Sequence, residues 1–217
     1  MSGERLKSCY DSAPARVKQY LAAELEFVSR HIRPGDTVLE LGVGYGRVAL
    51  RLSERAARVF GVDTSLDSLA LGRARAGADT RCRFLPMDAS RLAFRDGLFD
   101  VAACVQNGVC AFGTDPEQLV REALRVLRPG GLALFSSYAA EFWPERLRWF
   151  ETQASLGLVG PIDHERTVEG TIVCSDGLRL GTFDEESFRE VCAPIGVEPR
   201  ITTVDDSSLF CEVLKPA

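Results

Sequence analysis

The hydrophobic positions of the chain follow two spacings that alternate along it, one typical of amphipathic helices and one typical of buried strands. Near the N-terminus, one set of apolar residues recurs every three or four positions: Val17, Leu21, Leu25, Val28 and Ile32. Pro34 and Gly35 follow this set and end a helix. The pattern therefore predicts an amphipathic helix over residues 14 to 32.

From residue 37 onward, short apolar runs alternate with helical patterns. The runs with strand character are TVLELG (37–42), ARVFGVD (57–63), RFLPMD (83–88), FDVAACVQ (99–106) and LALFSSY (132–138). Helices are predicted from about Ser65 to Ala76 and along the face that begins at Leu119, and Arg-Pro-Gly-Gly at 128–131 predicts a sharp stop. Strands that alternate with helices of this length indicate crossover units, and therefore a mostly parallel sheet with helices on both faces.

The last third of the chain has a different pattern. The stripe formed by Trp143, Leu147, Phe150 and Ala154 predicts another amphipathic helix, while Trp149 falls off the stripe and is interpreted as a pocket wall or an exposed contact. An Asp-Gly pair at 176–177 predicts a hairpin. A helix over 184–194 and two closing strands, at 197–204 and 208–214, are predicted to complete the chain.

Composition narrows the class of protein. The 217 residues include 26 Lys and Arg against 31 Asp and Glu, a formal net charge of −5, and 46% are hydrophobic, which is typical of one globular domain. No run of about 18 apolar residues predicts a membrane span, and the acidic balance disfavours nucleic acid as a partner. The first residues lack a secretory signal, and the seven cysteines form no CxxC pair, which predicts reduced thiols in a cytoplasmic protein.

The strongest chemical signal is the loop Glu40-Leu-Gly42-Val-Gly44-Tyr-Gly46 between a predicted strand and a predicted helix. Glycines at such a turn let the backbone approach a ligand closely. A dinucleotide-binding loop has the spacing GxGxxG, but its third glycine is replaced here by Arg47. A phosphate-binding Walker loop is excluded because no Gly-Lys-Ser/Thr follows.

With this loop the sequence resembles the class I S-adenosylmethionine-dependent methyltransferases, in their small-molecule, type 11-like branch. The resemblance covers about residues 35 to 138 and rests on VLELGVGYG, on VFGVD, on MDAS at 87–90 and on FDVAACVQNG, in this order. It implies a Rossmann-like, doubly wound α/β fold with a mostly parallel seven-stranded sheet and an insertion after the fifth strand. It also implies S-adenosyl-L-methionine as cofactor and S-adenosyl-L-homocysteine as product.

The resemblance implies a set of cofactor-binding residues: Glu40, Gly42, Gly44, Gly46, Asp63, Thr64, Met87, Asp88, Ala89, Gln106, Asn107 and Tyr10. Asp63 would accept the ribose hydroxyls, and Asp88 would accept from the adenine amino group. Gln106 and Asn107 would lie near the methionine part, and Tyr10 would belong to an N-terminal helix over the cofactor. Two alternatives stay open: Asp88 only caps the next helix, or Gln106 and Asn107 are ordinary turn residues.

These expectations predict one domain, 1–217, in four parts. They are an N-terminal helical cap (1–34), a cofactor-binding core (35–138), a substrate-side insertion (139–183), and a closing helix with two strands (184–217). The segment 139–183 is interpreted as an insertion because it is too short for a core of its own. The oligomeric state stays open.

The implied reaction is methyl transfer to a small-molecule acceptor by in-line displacement. Orientation of the acceptor is the main task of the protein in such a reaction, and His164 and Tyr138 are the candidates for a catalytic side chain. A solvent-exposed position is the simpler interpretation of His164, which lies in a polar loop. No metal is expected, although Cys104, Cys110 and Cys174 raise the hypothesis of a thiolate site for a metalloid acceptor.

Two other functions stay open. The same pocket would suit a sensor or partner subunit that binds S-adenosylmethionine without turnover. Methylation of protein or RNA would need an exposed basic surface, for which Arg121, Arg125 and Arg128 are candidates, although arginines on a helix face are usually solvated.

Overall fold

A seven-stranded sheet lies at the centre of the computed structural model, which describes residues 2–79 and 81–216. Its strands are β1 (Thr37–Leu41), β2 (Arg58–Asp63), β3 (Cys82–Pro86), β4 (Phe99–Cys104), β5 (Leu127–Tyr138), β8 (Arg200–Val204) and β9 (Ser208–Leu214). The spatial order is β3-β2-β1-β4-β5-β9-β8, and β9 runs antiparallel to both neighbours. The predicted doubly wound, mostly parallel sheet is confirmed.

The helices lie on both faces of this sheet and above one end of it. They are α1 (Gly3–Asp11), α2 (Ala15–Arg30), α3 (Ala49–Leu52), α4 (Leu66–Ala76), α5 (Gly108–Ala111), α6 (Pro116–Val126), α7 (Trp143–Ser155) and α8 (Glu185–Cys192), with 3₁₀ turns at Ala140–Phe142 and Ala193–Ile195. The predicted hairpin is present as β6 (Ile172–Val173) and β7 (Arg179–Leu180). No helix of the described chain is long and apolar enough to cross a membrane.

The two faces of the sheet have separate apolar cores. On one face, Leu119 and Ala123 of α6 and Phe188 of α8 pack against strand residues such as Phe99. On the other face, α2, α3 and α4 contribute the side chains of Phe27, Leu52 and Leu69, among others. Burial on both faces explains why the parallel strands are continuous apolar runs and do not alternate with polar residues.

One sharp stop expected from the sequence is part of a strand. Arg128 to Gly131 was predicted to separate α6 from β5, but β5 begins at Leu127, which pairs with Phe99. The register with β4 shifts at this point, and the amide of Gly130 donates to the carbonyl of Lys215 at 3.0 Å. Pairing with the end of the chain therefore keeps the Pro-Gly-Gly segment in the sheet as an irregular stretch.

Helices α1, α2 and α7 pack together beyond the carboxyl ends of the strands. Tyr20, Tyr138 and Phe142 form part of this third cluster, as does Trp149. The interpretation of Trp149 as a pocket wall or an exposed contact is wrong: its side chain is buried, and its indole N–H donates to the carbonyl of Cys9 at 3.1 Å. Helices α1 and α2 cover α7 on a second side, so a residue beside the apolar stripe of α7 is also buried.

Candidate functional site

The candidate site lies where the sheet changes direction, between the carboxyl ends of β1 and β4. Open α/β sheets bind ligands at this position, because the connections on its two sides leave toward opposite faces and open a crevice. Glu40 of β1 and Gln106, two residues after β4, line the crevice from its two sides. The site therefore joins the first and the fourth of the motifs that define the resemblance.

The glycine loop has the backbone geometry that its sequence predicts. Gly42, Gly44 and Gly46 all have positive φ values, of 72°, 51° and 79°. A β-carbon at Gly42 would collide with the ring of Phe112, and one at Gly46 would lie 2.7 Å from the ring of Phe84. Side chains at these positions would therefore be strained and crowded.

Asp63, the last residue of β2, holds this loop in place. Its Oδ2 accepts the amide of Gly44 at 2.8 Å, and its Oδ1 accepts the amide of Ser65, next to α4, at 2.8 Å. A carboxylate oxygen accepts more than one hydrogen bond, so capacity remains for a ligand hydroxyl. Asp63 lines both cavities described below.

A first cavity, of about 240 Å³, lies beside the ends of β2 and β3. Its lining includes the predicted residues Gly42, Asp63, Thr64, Met87, Asp88 and Ala89, together with Val62, Ala111, Phe112 and Thr114. Asp88 is exposed, and its Oδ1 accepts from the amide and hydroxyl of Ser90 at 2.8 and 2.7 Å, which lowers its pKa. Asp88 therefore stabilises a local turn through Oδ1, while its Oδ2 has no hydrogen-bond partner within the described part of the chain.

A second cavity, of about 190 Å³, adjoins the first at Gly42, Asp63, Ala111 and Phe112. Several buried polar atoms along its wall have no hydrogen-bond partner among the described residues: Oε2 of Glu40, Nε and Nη2 of Arg47, and Nε2 of Gln106. Buried polar groups are almost always hydrogen-bonded in folded proteins. An acceptor, a cation and an amide donor that are all without partners therefore point to a polar ligand.

Burial controls the charge of this cavity. Desolvation raises the pKa of Glu40 to about 8 in spite of the Arg47 guanidinium and a hydrogen bond from the Ala49 backbone, which act in the opposite direction, and repulsion by Asp63 adds to the rise. Near neutral pH the Glu40 carboxyl is therefore largely protonated in the ligand-free protein. A cationic group bound beside it would favour the ionised form.

Helix α1 roofs the second cavity. Leu6 and Tyr10 line it, and the guanidinium carbon of Arg47 lies 5.0 Å from the centre of the Tyr10 ring. A β-carbon on Gly44 would lie 2.9 Å from Cδ2 of Leu6, so the roof and the glycine loop are in close contact. The structure thus brings Tyr10 to the predicted cofactor residues.

Gln106 and Asn107 have different environments although they are adjacent. Both adopt left-handed backbone angles, with φ of 57° and 61°, which is a strained conformation for glutamine. Gln106 lines the second cavity, whereas the Asn107 amide is occupied: Nδ2 donates to the carbonyl of Gly181 at 2.9 Å, and Oδ1 accepts from Ser137 at 2.9 Å. The structure therefore brings Gln106 and not the Asn107 side chain to the cavity.

A third cavity, of about 340 Å³, lies at the end of β5, between β8, β9 and α7. Tyr138 ends β5 at its wall, and Arg146 of α7 lies above the Tyr138 ring at 4.5 Å from its centre. Burial raises the pKa of Tyr138 to about 12, so its hydroxyl stays protonated at neutral pH. In that state the hydroxyl can orient a bound molecule but cannot accept its proton.

The other candidate side chains lie elsewhere. His164 is exposed and lines none of the three cavities. Cys104 and Cys174 belong to different apolar clusters, and no group of three or more metal-ligating side chains occurs within residues 2–79 and 81–216. The α6 arginines and Arg128 contact carboxylates: Arg121 pairs with Glu117, Arg125 with Glu122 and Asp96, and Arg128 with Asp100.

Among the cavity residues that sequence reasoning missed are Arg47, Arg146, Phe112 and Thr114. The sequence analysis considered Arg47 only as the residue that replaces the third glycine of a dinucleotide loop. Its position directly after the glycine loop was a signal that it lines the site. Arg146 lies three residues after Trp143 and four before Phe150, and a charge on an apolar face signals a buried cation. Phe112 and Thr114 follow α5 and had no local signal.

Comparisons with known proteins show similarity to methyltransferases. Residues 38–131 match the family model described as a methyltransferase domain. A demethylmenaquinone methyltransferase from Thermus thermophilus is 43% identical over 97 residues, which are 43% of this chain and 43% of that protein. A malonyl-acyl-carrier-protein O-methyltransferase from Serratia marcescens is 31% identical over 136 residues, 63% of this chain and 51% of that protein. The chain thus spans about half the length of these relatives.

The fold is similar to that of solved methyltransferases. A crystal structure of a SAM-dependent methyltransferase from Aquifex aeolicus superposes with a TM-score of 0.68 at 13% identity, and the match covers 99% of each chain. Residues 38–131 therefore carry a methyltransferase domain, and the chain has the fold of the solved methyltransferases. The unpartnered polar atoms of the second cavity fit a group that has both an ammonium and a carboxylate.

Proposed function

We propose that the chain transfers the methyl group of S-adenosyl-L-methionine to a small-molecule acceptor by in-line displacement. The observation that carries this proposal is the set of unpartnered buried atoms of Glu40, Arg47 and Gln106 next to Asp63 and the glycine loop. The bound cofactor supplies an electrophilic methyl group, so the protein needs to orient the two partners and exclude water.

Each cavity then has one part of the cofactor to hold. In the first, Asp63 accepts ribose hydroxyls, Asp88 accepts the adenine amino group through its free oxygen, and Met87 and Ala89 flank the ring. In the second, Glu40 accepts the ammonium and Arg47 donates to the carboxylate, while Gln106 donates near the methyl group. The shared wall of the two cavities at Asp63 and Phe112 supports this division.

The acceptor side is formed by the third cavity and the segment 139–183. This segment supplies Trp143, Arg146 and Thr182 to the cavity wall, beside Tyr138. The likeness of residues 38–131 to a methyltransferase domain does not extend to it. Variation outside the cofactor core is a general way in which one fold serves different substrates.

The cofactor assignment is tested by titrating the protein with S-adenosylhomocysteine in a calorimeter. Asp63→Asn removes the charge that accepts the ligand hydroxyls, and we expect the affinity to fall about tenfold or more. Asp67→Asn is the matched control, because Asp67 is exposed in the first turn of α4. Equal affinities of the two variants would contradict the proposed ribose contact.

Turnover separates an enzyme from a sensor. Radiolabelled S-adenosylmethionine is incubated with the protein and a fractionated extract of small metabolites, and transfer of label to one fraction is expected. Tight binding of the cofactor with no transfer to any fraction would favour a sensor or partner subunit. Label that appears only in added protein or RNA would move the acceptor to a macromolecule.

A further inference from the structure

The third cavity has an inner end and a rim of opposite charge. Arg146, at the inner end, has no exposed surface. At the rim, Glu141, Glu169 and Asp184 are exposed, and none of the three has a cation within ion-pair distance among the residues that the structure describes, whereas Glu185 pairs with Arg189. Tyr138, Trp143 and Phe183 add aromatic wall, so the cavity could enclose an apolar body between two charged ends.

Arg146 is unusual because its buried charge has no carboxylate partner among the residues that the structure describes. Nη1 donates to the carbonyl of Gly170 at 3.1 Å, and Nη2 donates to the carbonyls of Leu180 and Gly181 at 3.0 and 3.1 Å. Nε has no acceptor within the described part of the chain. Desolvation lowers the pKa of the guanidinium, and no carboxyl group offsets the burial. Buried charges are ordinarily paired, and this one faces a cavity.

We propose that the third cavity binds a small zwitterion, with its carboxylate on the Arg146 guanidinium and its ammonium toward Glu141 and Glu169. This proposal rests on the proposed function in one respect, namely that the bound zwitterion is the methyl acceptor. The binding itself follows from the cavity alone. Charge complementarity at both ends, with an aromatic wall between them, defines the ligand class.

Molecules with only one charge fit less well. An anion would gain the Arg146 contact but would pass three unpaired carboxylates at the entrance. A cation would be attracted by the rim and by the aromatic faces, but it would meet the buried guanidinium at the inner end. A zwitterion satisfies both ends in one orientation, and the cavity thereby selects against the two singly charged relatives.

The test uses three probes that share one aromatic body: L-phenylalanine, 3-phenylpropionate and 2-phenylethylamine. Binding is measured by calorimetry and by ligand-observed NMR, with and without S-adenosylhomocysteine. We expect saturable binding at millimolar concentration or below, with phenylalanine the tightest of the three. Absence of saturable binding by all three probes, or tightest binding of the amine, would overturn the proposal.

Two variants assign the ends of the ligand. Arg146→Met should weaken phenylalanine and phenylpropionate about tenfold while leaving phenylethylamine unchanged or tighter. Its control is Arg148→Met, since Arg148 is exposed on the same helix and pairs with Glu145. Loss of all three probes by a variant that circular dichroism shows to be folded would contradict the assigned orientation.

The rim variant keeps the test valid if Arg146→Met does not fold. Glu141→Gln with Glu169→Gln changes only exposed side chains, and it should reduce the preference for phenylalanine over phenylpropionate severalfold. Glu151→Gln, on the exposed side of α7, is the control. An unchanged preference in the double variant would show that Glu141 and Glu169 do not select the ammonium, and the zwitterion proposal would fall.

Failure of this proposal and failure of the proposed function give different results. If S-adenosylhomocysteine binds and label is transferred, but no probe binds, the zwitterion site is wrong and the enzyme assignment stands. If the probes bind in the expected order but S-adenosylhomocysteine does not, the cavity is a binding site without the proposed reaction.

Discussion

Glu40 and Arg47 face the same cavity, and neither forms an ion pair within residues 2–79 and 81–216. The Glu40 carboxyl is buried beside the glycine loop, and desolvation raises its pKa to about 8. Oε2 of Glu40 and both Nε and Nη2 of Arg47 lack partners among the described residues. Binding of an ammonium at Glu40 would stabilise the ionised carboxylate, so ligand binding and proton release become coupled.

The first prediction follows from this coupling. The affinity for S-adenosylhomocysteine should rise from about pH 6 to about pH 8, because the carboxyl must lose its proton to accept the ligand ammonium. Calorimetry in buffers of different ionisation enthalpy should detect the released proton. Glu40→Gln should bind more weakly and release none, whereas Glu54→Gln, an exposed control, should behave like the original protein. Proton release that persists in Glu40→Gln would place the titrating group elsewhere.

At the scale of elements, α1 forms the roof of the second cavity, and it is fixed by contacts from two other helices. Nε of Arg5 donates to the carbonyl of Leu158 after α7 at 2.7 Å, and the Trp149 indole donates to Cys9. At its start, Gly3 packs against α4, where a β-carbon would lie 2.9 Å from the Cα of Ser68. The roof therefore depends on α7 as much as on its own sequence.

The second prediction concerns this dependence. Trp149→Ala removes a buried side chain that contacts Tyr10, with ring centres 5.8 Å apart, and should lower the free energy of unfolding by about 3 kcal/mol. The affinity for S-adenosylhomocysteine should fall with it, because Tyr10 loses its support. Urea unfolding and calorimetry measure the two effects.

Leu156→Ala is the control for Trp149→Ala, since Leu156 is exposed at the end of the same helix. Trp149→Phe keeps most of the packing and loses the hydrogen bond, so a loss of about 1 kcal/mol is expected. If Trp149→Ala lowers stability but leaves the affinity intact, α1 does not need this contact to cover the cavity.

For the whole molecule, the buried acid Glu24 links the packing of α2 on the sheet to pH. Its Oε1 accepts the hydroxyl of Ser208 in β9 at 2.9 Å, and burial raises its pKa to about 7, against the opposing effects of Ser136, Ser208, Tyr20 and Arg47. The folded protein thus favours the protonated acid. This stabilisation is complete below the ordinary carboxyl pKa of 4.5 and is lost as the pH rises through about 7.

The third prediction is therefore a fall in the free energy of unfolding between about pH 5 and about pH 8, to which Glu40 contributes with the same sign. Glu24→Gln cannot ionise, and its stability should decrease less over this range, by about 2 kcal/mol. Urea unfolding at several pH values measures the slope. Glu54→Gln should keep the original slope, and an equally steep slope in Glu24→Gln would show that Glu24 does not ionise on unfolding.

The local sequence determined the order of the strands and helices along the chain and the place of the glycine loop. A buried parallel strand is a short apolar run, and a glycine loop after it leaves a fixed spacing, so both can be recognised from neighbouring residues. The same holds for Asp63, which closes a strand and is found beside the loop. Tyr10 was placed only through the family resemblance, and the structure brings it to the cavity.

Tertiary structure alone decided which polar groups lack partners. Asn107 was expected beside the cofactor, but its amide is occupied by Gly181, 74 residues later. Arg146 is buried because α7 packs over Tyr138, and Trp149 is buried because α1 covers it. Hydrogen bonding and desolvation are set by residues far apart in the chain, and such contacts leave no periodic pattern in the sequence. The sequence therefore determined where the glycine loop and its strands lie, and only the folded chain decided which charges line the cavities beside them.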